Sequence, residues 1–149
     1  MRWGFPRREV HELRLLVVDD HETVRRGICS ILQSRQDIES CAEASNGRDA
    51  IEKASEFKPD LIILDVSLPG LDGFAAAREI KTLLPEVAML IMSMHDGPTF
   101  AGGARRAGAQ GFVSKSEAGH VLLEAVAAIL QGQTFFPALM GSHDVEDLD

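Results

Sequence analysis

No apolar run in the chain approaches the roughly 18 residues needed to cross a bilayer as a helix. The opening Met1–Arg2–Trp3–Gly4–Phe5–Pro6–Arg7–Arg8 also lacks the apolar core of a secretory leader. The expected location is therefore the cytoplasm, with no membrane partner. Cysteine is scarce: Cys29 and Cys41 are the only two, without CxxC spacing. They fall in helix-like and strand-like patterns and read as reduced, packed thiols, in keeping with the rarity of cytosolic disulfides. Positive charge is short as well, with 15 Lys and Arg against 23 Asp and Glu, a net charge of −8. Neutralising phosphates needs a cationic face, so no nucleic-acid contact is expected from this segment. Internal repeats and low-complexity blocks are absent.

At 149 residues, 45% of them hydrophobic, the chain has material for one domain with a proper core. Four short apolar runs end in chemically active groups. Leu15–Val18 runs into Asp19–Asp20, Leu61–Leu64 into Asp65, Met89–Met92 into Ser93, and Gly111–Ser114 into Lys115. Such runs read as strands buried on both faces of a parallel sheet. A half-polar strand, Ile38–Ala44, belongs nearer an edge. Helical spacing predicts helices over Glu22–Ser34 (Val24, Ile28, Ile31 and Leu32 inward), from Asn46–Gly47 to Lys58–Pro59–Asp60, and over Gly73–Leu84. A fourth begins after Asp96 and ends at Ala107–Gly108, and a fifth, capped by Ser116, covers Gly119–Gln131 with Val121, Leu122, Ala125, Val126 and Ile129 as a core stripe. Five βα units with right-handed crossovers give a flavodoxin-like, doubly wound parallel sheet of order 2-1-3-4-5 with five helices. The expected domain covers 13–137, between an irregular extension over 1–12 and an acidic tail or start of a linker over 138–149. Gly102–Gly103 inside the fourth helix marks either a soft segment or close packing that admits no side chain.

Open α/β sheets bind ligands at the carboxyl ends of their strands, so the three acids, the hydroxyl and the ammonium are expected in one site. Adjacent carboxylates repel unless a cation or protons neutralise them. Oxygen ligands of this sort suit Mg²⁺. Asp65 is placed to act as a nucleophile that forms an acyl phosphate, with metal, Lys115 and Ser93 stabilising the transferring oxygens. His21 reads as a solvent-facing residue at a helix start. Arg105–Arg106 suits either the helix C-terminus or a partner surface.

The segments Val17–Val18–Asp19–Asp20–His21, Leu64–Asp65–Val66–Ser67–Leu68–Pro69–Gly70–Leu71–Asp72–Gly73 and Gly108–Ala109–Gln110–Gly111–Phe112–Val113–Ser114–Lys115 resemble the receiver domain of two-component response regulators (CheY-like). Ser93–Met94–His95–Asp96 and Gly132–Gln133–Thr134–Phe135–Phe136 look most like the NarL/FixJ (LuxR-type) branch. The resemblance implies that Asp65 accepts phosphate from a sensor histidine kinase or a small phosphodonor. It implies Mg²⁺ (or Mn²⁺) held by Asp20, Asp65 and the backbone carbonyl of Ser67, with Asp19 acting through water. Ser93 and Lys115 would bind phosphoryl oxygens, and Phe112 would be the aromatic switch that turns inward with Ser93. A homodimer formed on phosphorylation is a further expected partner state. The chain would be no enzyme beyond self-phosphorylation and slow autodephosphorylation.

Two positions depart from the family pattern. Met94 replaces a small residue after the switch hydroxyl, where it would crowd the phosphate or the path of Phe112. Ser116 replaces the proline that follows the lysine in other branches, so the cis peptide found there does not carry over to this chain as an expectation. Transcription control through a C-terminal helix-turn-helix would be the usual output; that module is not in this sequence. The alternatives are a stand-alone receiver working by phosphorelay or docking, a partner-binding pseudo-receiver, and a metal-dependent phosphohydrolase. The last commonly has an acid two residues after its nucleophile, where this chain has Ser67.

Overall fold

The apolar runs become strands β1 (Leu13–Val18), β2 (Ile38–Ala44), β3 (Leu61–Asp65), β4 (Ala88–Ser93) and β5 (Gly111–Ser114) in the computed structural model, which describes residues 13–67, 73–94 and 98–136. They alternate with helices α1 (Glu22–Leu32), α2 (Gly47–Phe57), α3 (Gly73–Leu83), α4 (Pro98–Arg106) and α5 (Lys115–Leu130). All strand pairs are parallel, in the order β2-β1-β3-β4-β5. The extension over 1–12, the tail over 138–149 and the expected helix start at Asp96 lie outside the described residues.

Burial follows the pleat, whose period of two sends alternate side chains to opposite faces. Leu16, Val18, Ile62, Leu64, Ile91 and Phe112 meet α2, α3 and α4 on one face. Leu15, Val17, Leu61, Ile63, Leu90 and Val113 meet α1 and α5 on the other. Every residue of β3 is buried, and each fully buried Leu or Ile contributes about 1.5–3 kcal/mol. Edge strand β2 buries only Ile38 and Ala44, which is why it reads as half-polar.

Local chemistry sets the helix ends. Asn46 caps α2 by accepting the Asp49 N–H at 2.8 Å, and Lys58 closes it in the left-handed region (φ 50°) before Pro59. Gly108, at φ +94°, follows α4 as a glycine in that region should. The fifth helix differs from expectation. It starts at Lys115, with Ser114 as N-cap and Ser116 inside the first turn, because the extended backbone of β5 ends directly at the cap and leaves no linker. Its core stripe is in place: Leu122, Ala125, Val126 and Ile129 are buried. No cis peptide occurs among the described residues. In α1, Val24 is 40% exposed against expectation, since at this end of the helix it is Arg25 that reaches inward.

Gly102 and Gly103 divide the two readings of α4 between them. A Cβ on Gly103 would lie 3.0 and 3.2 Å from Phe74 ring carbons, whereas one on Gly102 would meet only the mobile end of Arg106, at 3.3 Å. Gly102→Ala is therefore expected to raise stability by up to about 1 kcal/mol, and Gly103→Ala to lower it. Urea denaturation midpoints of the two variants check this pair of opposite signs.

After α5 the chain returns to the open edge of β5. The Phe112 N–H donates to the Phe135 carbonyl and the Phe135 N–H to the Gln110 carbonyl, both at 2.9 Å, and Arg105 lies 3.8 Å above the Phe136 ring. The C-terminal strap thus covers backbone groups that an edge strand would expose.

Candidate functional site

Strand register delivers the predicted residues to one edge of the sheet. Val18 pairs with Leu64, Asp65 with Met92 and Ser93 with Ser114, so Asp19, Asp65, Ser93 and Lys115 leave their strands at the same level. Asp19, Asp65 and Ser93 are buried, while the Asp20 side chain keeps 30% of its exposure. Ser67 is at the surface.

Lys115 joins the two buried acids. Its Nζ lies 2.8 Å from Asp19 Oδ2 and 3.0 Å from Asp65 Oδ2. Burial alone would pull this ammonium down, but hydrogen bonds and charge from Asp19 and Asp65 reverse that and hold its pKa above the ordinary value. The second oxygens are held by backbone. Asp65 Oδ1 accepts the Ser67 N–H and Asp19 Oδ1 the His21 N–H, each at 2.9 Å. Asp19 Oδ2 is buried and, apart from the ion pair with Lys115, accepts no well-aligned hydrogen bond.

His21 is 68% exposed, and its Nδ1 lies 3.1 Å from Asp20 Oδ1. Asp19, Asp20 and His21 form an acidic cluster whose candidate ligand atoms all lie within 4.8 Å of one another. Lys115 pairs with Asp19 and Asp65 while Asp20 stands beside them at the same loop, which leaves an excess of negative charge suited to a cation.

Phe112 is fully buried against the α4 side of the sheet, with Ala101, Ala104 and Ala107 in the same cluster. Met94 is 66% exposed, apart from that core.

Sequence reasoning missed two supports. Arg25 donates from Nη1 to the Asp19 carbonyl at 2.9 Å and from Nε to Glu43 Oε1 at 2.8 Å, tying α1 and β2 to the acidic loop. At its helical position it reads only as a charged residue next to Val24, the side chain expected to face inward. Gly73 opens α3 directly against the backbone of Asp65 and Val66; its place after Leu71–Asp72 was the available signal.

A family profile described as the response regulator receiver domain matches residues 15–127. The chain belongs to the response regulator receiver family. This receiver is 38% identical over 126 residues to the response regulator protein VraR of Staphylococcus epidermidis, a match covering 83% of this chain and 59% of that protein. It is 36% identical over 124 residues to the oxygen regulatory protein NreC of Staphylococcus haemolyticus, covering 83% of this chain and 57% of that one. A solved structure of a LuxR-family two-component response regulator from Aurantimonas sp. SI85-9A1 superposes with a TM-score of 0.81 at 35% identity, covering 87% of this chain and 92% of that one. These likenesses put the receiver in the NarL/FixJ (LuxR-type) branch. The chain spans a little over half the length of the curated relatives it matches. No helix among the described residues is long and apolar enough to cross a membrane.

Proposed function

We propose that the receiver takes a phosphoryl group onto Asp65, from a sensor histidine kinase or a small phosphodonor, and converts that acylation into a rearrangement around β4, α4 and β5. The observation that carries this reading is the Lys115 ammonium held between Asp19 and Asp65 at the carboxyl edge of the sheet. A carboxylate oxygen of Asp65 attacks phosphorus while the bond to the donor's leaving group breaks. Lys115 is within reach of the charge that develops on the transferring oxygens, and Ser93 ends the neighbouring strand as their hydrogen-bond donor.

The donor set fits Mg²⁺ or Mn²⁺: hard oxygen ligands, excess negative charge, and a half-open Asp20 facing solvent. Asp20, Asp65 and the Ser67 carbonyl would hold the ion, with Asp19 acting through water. Bound there, it would neutralise the carboxylates and polarise the phosphoryl group.

Drawing Ser93 toward the phosphoryl group alters the β4 end beside Phe112, the switch residue. The Phe112 N–H is bonded to the strap at Phe135, which supports a path from the site to whatever follows α5. The transcriptional regulatory protein DegU of Brevibacillus brevis is 29% identical over 125 residues, 53% of its length. We infer that the output is transcription control through a DNA-binding module outside this chain, with homodimer formation on phosphorylation and no nucleic-acid contact by the acidic receiver itself.

Incubation with acetyl phosphate and Mg²⁺, followed by intact-mass measurement, is expected to add one phosphoryl group to the receiver and none to Asp65→Asn. Removing the metal with a chelator should abolish the gain. An Asp65→Asn variant that still gains the phosphoryl mass overturns the assignment.

A further inference from the structure

Cys29 faces inward from α1 and Cys41 lies within β2. The fold brings these free thiols together, with the Cys41 S–H directed at the Cys29 sulfur across 2.7 Å. We propose that the pair is a thiol–disulfide switch, in which a hydroperoxide converts the two thiols into a bond tying α1 to edge strand β2. Disulfides of this kind in reducing compartments are typically transient and redox-sensing.

Two inert core thiols would both be sealed and chemically equivalent, and these are neither. Cys41 is half-buried on the outermost strand, with the buried Cys29 sulfur in direct contact beneath it, so a molecule as small as a peroxide that reaches this edge meets both sulfurs. The S–H that Cys41 donates lowers the Cys29 pKa and outweighs its burial, with Arg25 and Arg26 assisting and Glu43 opposing. The same hydrogen bond, burial and the charges of Cys29 and Glu43 raise the Cys41 thiol. Cys29, with Arg25 and Arg26 one turn before it on the same helix to favour its thiolate, is the attacking sulfur, and Cys41, in contact with it, is the resolving one.

The Cys29 thiolate attacks one peroxide oxygen, the O–O bond breaks, and hydroxide leaves to take up the proton Cys29 had released. The sulfenic acid so formed is attacked by the Cys41 sulfur. Its S–O bond breaks, and the hydroxyl departs with the Cys41 proton. Two thiols are oxidised to one disulfide and one peroxide is reduced to two waters.

The bond would act on a joint already present. Arg25, one turn before Cys29, pairs with Glu43, two residues beyond Cys41, and also holds the Asp19 carbonyl. A covalent tie at Cys29 and Cys41 restrains α1 against β2 along the same seam that ends at the acidic loop.

Treatment of the chain with hydrogen peroxide is expected to remove two hydrogens from its intact mass, to yield a cross-linked peptide pair containing Cys29 and Cys41, and to be reversed by dithiothreitol. Amide exchange across Glu22–Leu32 should slow several-fold in the oxidised form. Cys41→Ser should instead give a Cys29 sulfenic acid that dimedone traps. Wild-type protein that takes up oxygen without the cross-link, or stays unchanged, overturns the disulfide. A cross-link that leaves α1 exchange at its reduced-state rate overturns the coupling of α1 to β2.

Discussion

Lys115→Met is expected to lower the metal-free stability of this receiver by about 3 kcal/mol, because it strips the only ammonium among the described residues in contact with Asp19 and Asp65. Methionine retains most of the aliphatic stem, so the loss reports charge rather than volume. The two carboxylates are almost wholly buried, and each keeps one backbone N–H donor, from His21 or Ser67. Those donors do not cancel the repulsion of two like charges in a poorly hydrated site. Water entering beside the shorter head group recovers part of the cost, which sets the expectation at the lower end for breaking a buried ion pair. Urea denaturation without metal measures the loss. Titration with Mg²⁺ should then stabilise the variant, since a ligand bound by the folded state alone raises stability by mass action. A variant within about 0.5 kcal/mol of wild type, the range of ordinary surface changes, would show that Lys115 does not hold the acids together.

Such a site is legible in the sequence because a parallel sheet leaves a particular trace there. Strands buried on both faces read as uninterrupted apolar runs, and the polar residue ending each run is the one the fold delivers to the ligand edge. Asp19, Asp65, Ser93 and Lys115 all follow that rule. Supports arising from tertiary register left no comparable trace. Arg25 reaches Asp19 and Glu43 only because α1 lies against β1 and β2. Cys29 and Cys41 meet for the same reason, although each alone looks like a small hydrophobe. The sequence alone does not place the start of α5, because Ser116 is as good a capping residue as Ser114; strand pairing of Ser93 with Ser114 decides between them. Val24 sits at the right helical spacing but beside the polar loop, where periodicity alone does not reveal that the core has ended.

Gly73→Ala is expected to be among the most damaging single-methyl additions in the receiver. A Cβ at this position would overlap Val66 Cα and come 2.8 Å from the Asp65 carbonyl oxygen and 2.9 Å from the Val66 carbonyl carbon. All three are backbone atoms at the end of β3, so no side-chain rotation relieves the clash. Either α3 moves off the sheet or the Asp65–Val66 peptide shifts. Overpacking against mobile side chains costs about 1–3 kcal/mol, and a backbone contact belongs at the top of that range, near 3 kcal/mol. Gly119→Ala supplies the control. It adds the same methyl inside α5 with nothing within 4 Å, and it should stabilise by up to about 1 kcal/mol. Urea midpoints should therefore move in opposite directions for the two variants. Phosphoryl uptake from acetyl phosphate should fall in Gly73→Ala, even well below its melting temperature, because the peptide it displaces carries Asp65, the proposed phosphoacceptor. If Gly73→Ala matched wild type in both stability and uptake, α3 would not be what fixes the backbone beside Asp65.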